Sequence, residues 1–156
     1  MLSNLPASKL FFLDVGLTNY RIGFKDFFRG KQSLDNIYKG KISEQIAAQE
    51  IVSQTFMAPA LYFWIREKGA AEVDFLFPFK DLIIPIEVKS GAVGKLESLN
   101  QFMEKCDHPY AVRVYSGKSR IDRIQLRSGK RYYLFSIPYY LLPRLDEAIN
   151  WLISRY

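Results

Sequence analysis

The sequence is poor in the residues that would commit it to disulfide, zinc-thiolate or membrane chemistry. It holds one cysteine, Cys106, and one histidine, His108. A single thiol excludes an internal disulfide, and one thiol with one imidazole excludes a zinc centre of Cys/His type. No apolar run reaches the roughly 18–20 residues that a membrane span requires. The opening Met1-Leu2-Ser3-Asn4 lacks the basic-then-apolar build of a signal peptide. Repeats, low-complexity stretches and obvious linkers are missing too. These absences predict a soluble domain of the reducing cytoplasm that makes no contact with membrane.

What the sequence does have is the material for one core. Its 156 residues are 49% hydrophobic and 24% charged, which suits a single globular domain rather than a disordered chain. The net charge of +6 is unevenly spread. Between Lys118 and Arg131 stand Lys118, Arg120, Arg123, Arg127, Lys130 and Arg131 against one acid, Asp122. Such a cluster suits nucleic acid phosphates or an acidic partner. It equally suits a solvated strand edge kept from aggregating by charge.

Local patterns predict the order of elements. Lys9–Leu13 reads as an apolar strand or buried segment, with Asp14 capping a short helix from Val15 to about Ile22. Lys25–Lys39 is a polar, aromatic-studded connection. Ser43 to about Thr55 has helical spacing, with Ile46, Ala47, Ile51 and Val52 on one face. Ala60–Arg66, Glu72–Phe79 and Leu82–Ser90 read as strands, Lys95–Cys106 as a helix, and Tyr110–Tyr115 as a strand. Ile121–Arg127 and Tyr132–Ile137 flank Ser128-Gly129-Lys130 as a hairpin, and Arg144–Ser154 closes the chain as an amphipathic helix. The order predicts an α/β domain with a central mixed β-sheet flanked by helices.

The most informative segment is the hairpin of Glu72–Phe79 and Leu82–Lys89. A two-residue turn at Lys80-Asp81 sets Phe79 against Leu82, Phe77 against Ile84, Phe75 against Ile86 and Val73 against Val88. Every pair on that face is apolar, which is the strongest argument for this register, although a two-residue slip would preserve the face and offset the carboxylates. The other face then opposes Asp74 to Glu87 and Glu72 to Lys89. Like charges directly opposed destabilise a sheet, so this pairing calls for compensation. Lys89 supplies part of it, and a hard divalent cation, which takes one or two carboxylates and retains waters for substrate phosphate, would supply more. The bland alternative is a solvated ion-pair patch at the end of a sheet. Lys-Asp is the weak step, because tight hairpins favour Asn-Gly or Asp-Gly.

At these residues the sequence resembles the PD-(D/E)XK, or restriction-endonuclease-like, superfamily. That pattern is an acid on one strand, Glu-x-Lys on the next, and a Glu on the preceding helix; here they match Asp74, Glu87-Val88-Lys89 and Glu44. Val73 stands where the pattern has proline. A wider resemblance rests on Lys9-Leu10-Phe11-Phe12-Leu13-Asp14-Val15-Gly16-Leu17, Gly40-Lys41-Ile42-Ser43-Glu44, Tyr62-Phe63-Trp64, Glu72-Val73-Asp74-Phe75 and Pro85-Ile86-Glu87-Val88-Lys89-Ser90. These look like successive landmarks of the family called domain of unknown function 4143, found C-terminal to an AAA-type ATPase module.

The resemblance implies a restriction-endonuclease-like αβββαβ core over residues 41–115, an N-terminal extension over 1–40, and a C-terminal hairpin and helix over 116–156. It also implies an ATPase neighbour that this chain lacks: Gly117-Lys118-Ser119 superficially looks like the end of a phosphate-binding loop, but Val112 stands where that loop needs glycine. By the same resemblance Asp74 and Glu87, with the Val88 carbonyl, would hold Mg²⁺ or Mn²⁺. Lys89 would position the attacking water and Glu44 would support water or a second ion. The six basic residues from Lys118 to Arg131 would grip the backbone of a nucleic acid, DNA in the first instance. The rival expectation is a catalytically silent binding or sensor module of the ATPase on the same fold.

Overall fold

The structure, a computed structural model, describes residues 9–21, 36–54, 61–66, 71–91 and 95–156. Four α-helices are described: α1 (Val15–Arg21), α2 (Asn36–Ser53), α3 (Glu97–Lys105) and α4 (Leu145–Arg155). Six strands accompany them: β1 (Tyr62–Ile65), β2 (Glu72–Phe79), β3 (Leu82–Val88), β4 (Tyr110–Tyr115), β5 (Arg120–Gln125) and β6 (Arg131–Pro138). A 3₁₀ turn, Tyr139–Arg144, joins β6 to α4. Among the described residues no helix is long and apolar enough to cross a membrane.

The strands form one mixed sheet in the order β1-β2-β3-β4-β6-β5. β3, β4 and β6 run parallel to one another, and the β1–β2, β2–β3 and β5–β6 pairs are antiparallel. Helices cover both faces. On one face Ala47, Ala48 and Ile51 of α2 and Leu145, Ile149 and Leu152 of α4 pack on Phe75, Ile84, Ile86, Val112, Val114 and Ile137. On the other, Leu99 and Met103 of α3 pack with Cys106 on Val73, Ala111, Tyr132 and Leu134. The expected mixed sheet between helices is therefore present.

Several local expectations need correction. Lys9–Leu13 is not a strand but an irregular strap laid across α2. Gln45, buried in α2, accepts the Phe12 N–H at 3.0 Å and donates to the Phe12 carbonyl at 2.5 Å. Gln49 donates to the Leu13 carbonyl. Two glutamine side chains thus stand in for a neighbouring strand, a substitution that apolar periodicity does not reveal. α2 begins at Asn36, well before Ser43, and its buried stripe is Gln45, Ala47, Ala48 and Ile51 rather than one including Ile46 and Val52. Most of the predicted Lys25–Lys39 connection lies outside the described residues. Asp14 does cap α1: its Oδ1 accepts the N–H groups of Gly16 and Leu17 at 2.7 and 3.2 Å.

The β2–β3 register is the expected one, with Phe79 opposite Leu82, Phe77 opposite Ile84 and Phe75 opposite Ile86. Lys80 makes the tight turn at φ 55°, taking the left-handed conformation that a more usual turn residue would supply as glycine or asparagine. Beyond Phe75 the pattern departs from expectation. Against β1, Leu76 pairs with Tyr62 but Val73 pairs with Trp64, so β2 carries one extra residue in between. This bulge puts Val73 in the α3-side core while Phe75, two residues on, joins the other. The expected Val73–Val88 contact is therefore absent, since Val88 belongs to the α2 and α4 side.

Candidate functional site

The bulge in β2 re-aims the residue between the two cores, Asp74. Instead of standing as a ladder partner of Glu87, Asp74 turns its carboxylate onto β3, where Oδ2 accepts the Val88 N–H at 2.7 Å. The side chain is 14% exposed. Burial pushes its pKa up to about 6; the Val88 hydrogen bond works against that rise, and the charge of Glu44 adds to it.

Glu87, near the C-terminal end of β3, is 5% exposed. Its Oε1 accepts a hydrogen bond from Lys89 Nζ at 2.5 Å, while its Oε2 is buried with no hydrogen-bond partner. Burial, and after it the negative charge of Asp74, raise its pKa to about 7. Asp74 thus lies close enough to disfavour the ionisation of Glu87. Lys89 closes the pair as the sequence pattern requires, since Glu87 and Lys89 are two residues apart and share a face.

Glu44 approaches from α2. Its charge reaches Asp74, and its own carboxylate is paired with exposed Lys41 at 3.2 Å. The expected Glu72–Lys89 pair is replaced by another: Glu72 forms a salt bridge with Lys9. Lys9 also lies 3.8 Å from Asp74 Oδ1 and 3.3 Å from the Asp74 carbonyl oxygen. Asp74, Glu87, Lys89 and Glu44 are therefore brought near one another, with the Val88 N–H bonded to Asp74.

The six basic residues are not one patch. Arg120 pairs with Ser136 at the end of β6 nearest the carboxylates, and Lys118 precedes it in the same turn; Gln125 pairs with Arg131 at the opposite end. Five residues of extended strand separate the two groups by about 17 Å. Arg120 is engaged with Asp122 at 3.0 Å, Arg123 lies over the Tyr133 ring, and Lys130 donates to the Cys106 carbonyl. Arg127 and Arg131 are exposed at the far end.

Three groups at the site carried no usable sequence signal. Lys9 stands before an apolar run and gives no sign of its distant partners. The hydroxyl of Tyr139 donates to the Lys89 carbonyl at 2.8 Å and also bonds Ser43 of α2, tying the helix that bears Glu44 to the strand end that bears Lys89. Arg113, in register with Glu87 on β4, is buried with Nε and Nη2 lacking hydrogen bonds and its guanidinium over the Tyr115 ring. A charge inside Tyr-Ala-Val-Arg-Val-Tyr was the one visible hint of it.

Magnesium fits this donor set. It takes one or two carboxylates and completes its shell with carbonyls, water and phosphate, so it needs no cage of side chains. Among the described residues no group of three or more His, Cys, Asp or Glu side chains is placed to hold an ion. The orphaned, buried Glu87 Oε2 is the atom that a cation or a proton would satisfy.

A family described as a domain of unknown function (DUF4143) matches residues 39–140. No curated protein matches the chain.

Proposed function

Given that the chain belongs to the DUF4143 family, we propose that the site formed by Asp74, Glu87 and Lys89 is a nuclease-like centre hydrolysing phosphodiester bonds of nucleic acid with a divalent metal ion. The observation that carries this reading is Glu87: a buried carboxylate with one oxygen on Lys89, the other without a partner, and Asp74 close enough to raise its pKa. A structural ion pair would satisfy both oxygens.

In this reading Asp74, Glu87 and the Val88 carbonyl would hold Mg²⁺ or Mn²⁺. When bound, the ion polarises the phosphoryl oxygen and lowers the pKa of its water. The Val88 N–H holds Asp74 in its rotamer, leaving Oδ1 as the ligand atom. Lys89, held by Glu87, keeps an ammonium where charge develops on the phosphate and where the attacking water must be oriented. Tyr139 fixes the Lys89 backbone, and Glu44 supports water beside Asp74. Lys118 and Arg120, at the same end of the sheet, meet the flanking phosphates of DNA. An AAA-type ATPase is the proposed neighbour, and the reducing cytoplasm the proposed compartment.

One observation favours a second reading, a silent docking or sensor module of that ATPase: Lys9 and Lys89 already bring two ammonium groups to the carboxylates. Melting curves with and without Mg²⁺ or Mn²⁺, run beside cleavage assays on single- and double-stranded DNA, separate the two. The nuclease reading expects cleavage and a melting temperature that rises with metal, because a ligand of the folded state stabilises it by mass action. Asp74→Asn should lose both while the metal-free fold stays within about 1 kcal/mol of wild type, since asparagine keeps an oxygen for the Val88 N–H. A metal-dependent shift without cleavage supports the docking module. Neither effect at millimolar metal makes the quartet structural.

A further inference from the structure

We infer that Lys9 is a working residue of this site, the cation that occupies Asp74 while no divalent ion is bound and that a divalent ion must displace. The inference deepens the nuclease-like reading and rests on it for the nature of the ion.

Counting oxygens leads there. Asp74 has two, and Oδ2 is committed to the Val88 N–H. Its other oxygen, Oδ1, faces the Lys9 ammonium at 3.8 Å. Glu87 also has two, with Oε1 on Lys89 and Oε2 buried and unpartnered. An ion bridging the pair therefore draws on Glu87 Oε2 and Asp74 Oδ1, and at Asp74 Oδ1 it meets Lys9. A dication bound at Asp74 Oδ1 and an ammonium 3.8 Å from that oxygen repel one another, more strongly in a partly buried site than in water. They do not share the oxygen; they exchange on it.

The Lys9 position is built, not incidental. Its side chain is 14% exposed, its ammonium salt-bridges Glu72, and it sits 5.4 and 5.7 Å from the ring centres of Phe63 and Phe75. The strap that carries it is fastened to α2 by Gln45 and Gln49, and Phe11 packs on Phe75. α2 also carries Glu44. Strap and metal are thus linked: an ion that displaces Lys9 loosens the strap, and whatever draws the strap away raises metal affinity by the same factor.

The test uses the full chain with Mg²⁺ and Mn²⁺ as probes. Calorimetry gives metal affinity for wild type, Lys9→Met, which keeps the stem and removes the charge, and Lys9→Arg, which keeps the charge. Hydrogen exchange at the Phe12 amide, held by Gln45, reports the strap. Exchange on Asp74 predicts that Lys9→Met binds at least tenfold more tightly than wild type and Lys9→Arg no more tightly. Saturating Mg²⁺ should speed Phe12 exchange in wild type and not in Asp74→Asn. Wild-type binding with equal or weaker binding by a folded Lys9→Met overturns the role of Lys9 and leaves the nuclease-like reading standing. A strap unmoved by bound metal overturns it too. No metal binding by either wild type or Lys9→Met overturns both.

Discussion

At the scale of the residue, Asp74 and Glu87 are acids kept where ionisation is costly. Burial first, and then the charge of Glu44 on Asp74 and of Asp74 on Glu87, raise their pKa values to about 6 and about 7, from about 4 in an unfolded chain. An acid whose folded pKa is raised favours folding while protonated. Its contribution is fully present below about pH 4 and lost as pH rises through 6 to 7, because the unfolded chain then ionises freely. Metal-free protein should therefore lose stability, on the order of a few kcal/mol, between pH 4 and pH 8. Urea titrations across that window should show a flatter profile for Glu87→Gln than for wild type. An identical profile would mean that the site ionises without penalty.

At the scale of the element, the β2–β3 hairpin shows what the sequence discloses and what it withholds. Its apolar alternation, Phe75, Phe77 and Phe79 against Ile86, Ile84 and Leu82, forces the register, so that register was legible. The turn was legible in position and unfavourable in composition, and the structure shows the cost as a positive φ at Lys80. A lysine there pays a left-handed penalty that glycine avoids, against one exposed hydrogen bond from its ammonium to Asn150. Lys80→Gly should raise stability by about 0.5–1 kcal/mol, readable as a shift in urea midpoint. The bulge was not legible, because it arises from pairing with β1, and alternation within β2 alone says nothing of that neighbour. Hence Asp74 and Glu87 were correctly placed near one another but by the wrong contact: Asp74 takes the Val88 N–H rather than facing Glu87 across the ladder. Lys9 and Tyr139 were missed for a related reason, since both reach the site over long sequence separations with no local periodicity to announce them.

At the scale of the whole molecule, the sheet order separates the basic residues into two ends, and only Lys118 and Arg120 lie at the end of the carboxylates. If nucleic acid lies across that end, replacing both with alanine should flatten the dependence of log affinity on log salt by about two counterions on duplex DNA. Replacing Arg127 and Arg131 should leave the slope unchanged, and the reverse pattern in a binding titration would move the nucleic acid to the far end of the sheet. Loop-closure entropy also predicts the order in which the site is put together. Asp74 and Val88 lie 14 residues apart on one hairpin, whereas Lys9 is 65 residues from Asp74. Closing the short loop costs less chain entropy and is the faster event. The carboxylates are thus gathered first, with Lys89 of the same hairpin beside Glu87, and the second lysine docks on Asp74 from the opposite end of the sequence once a hairpin exists to receive it. Although residue 9 leaves the ribosome long before residue 74, it is the last to find its place.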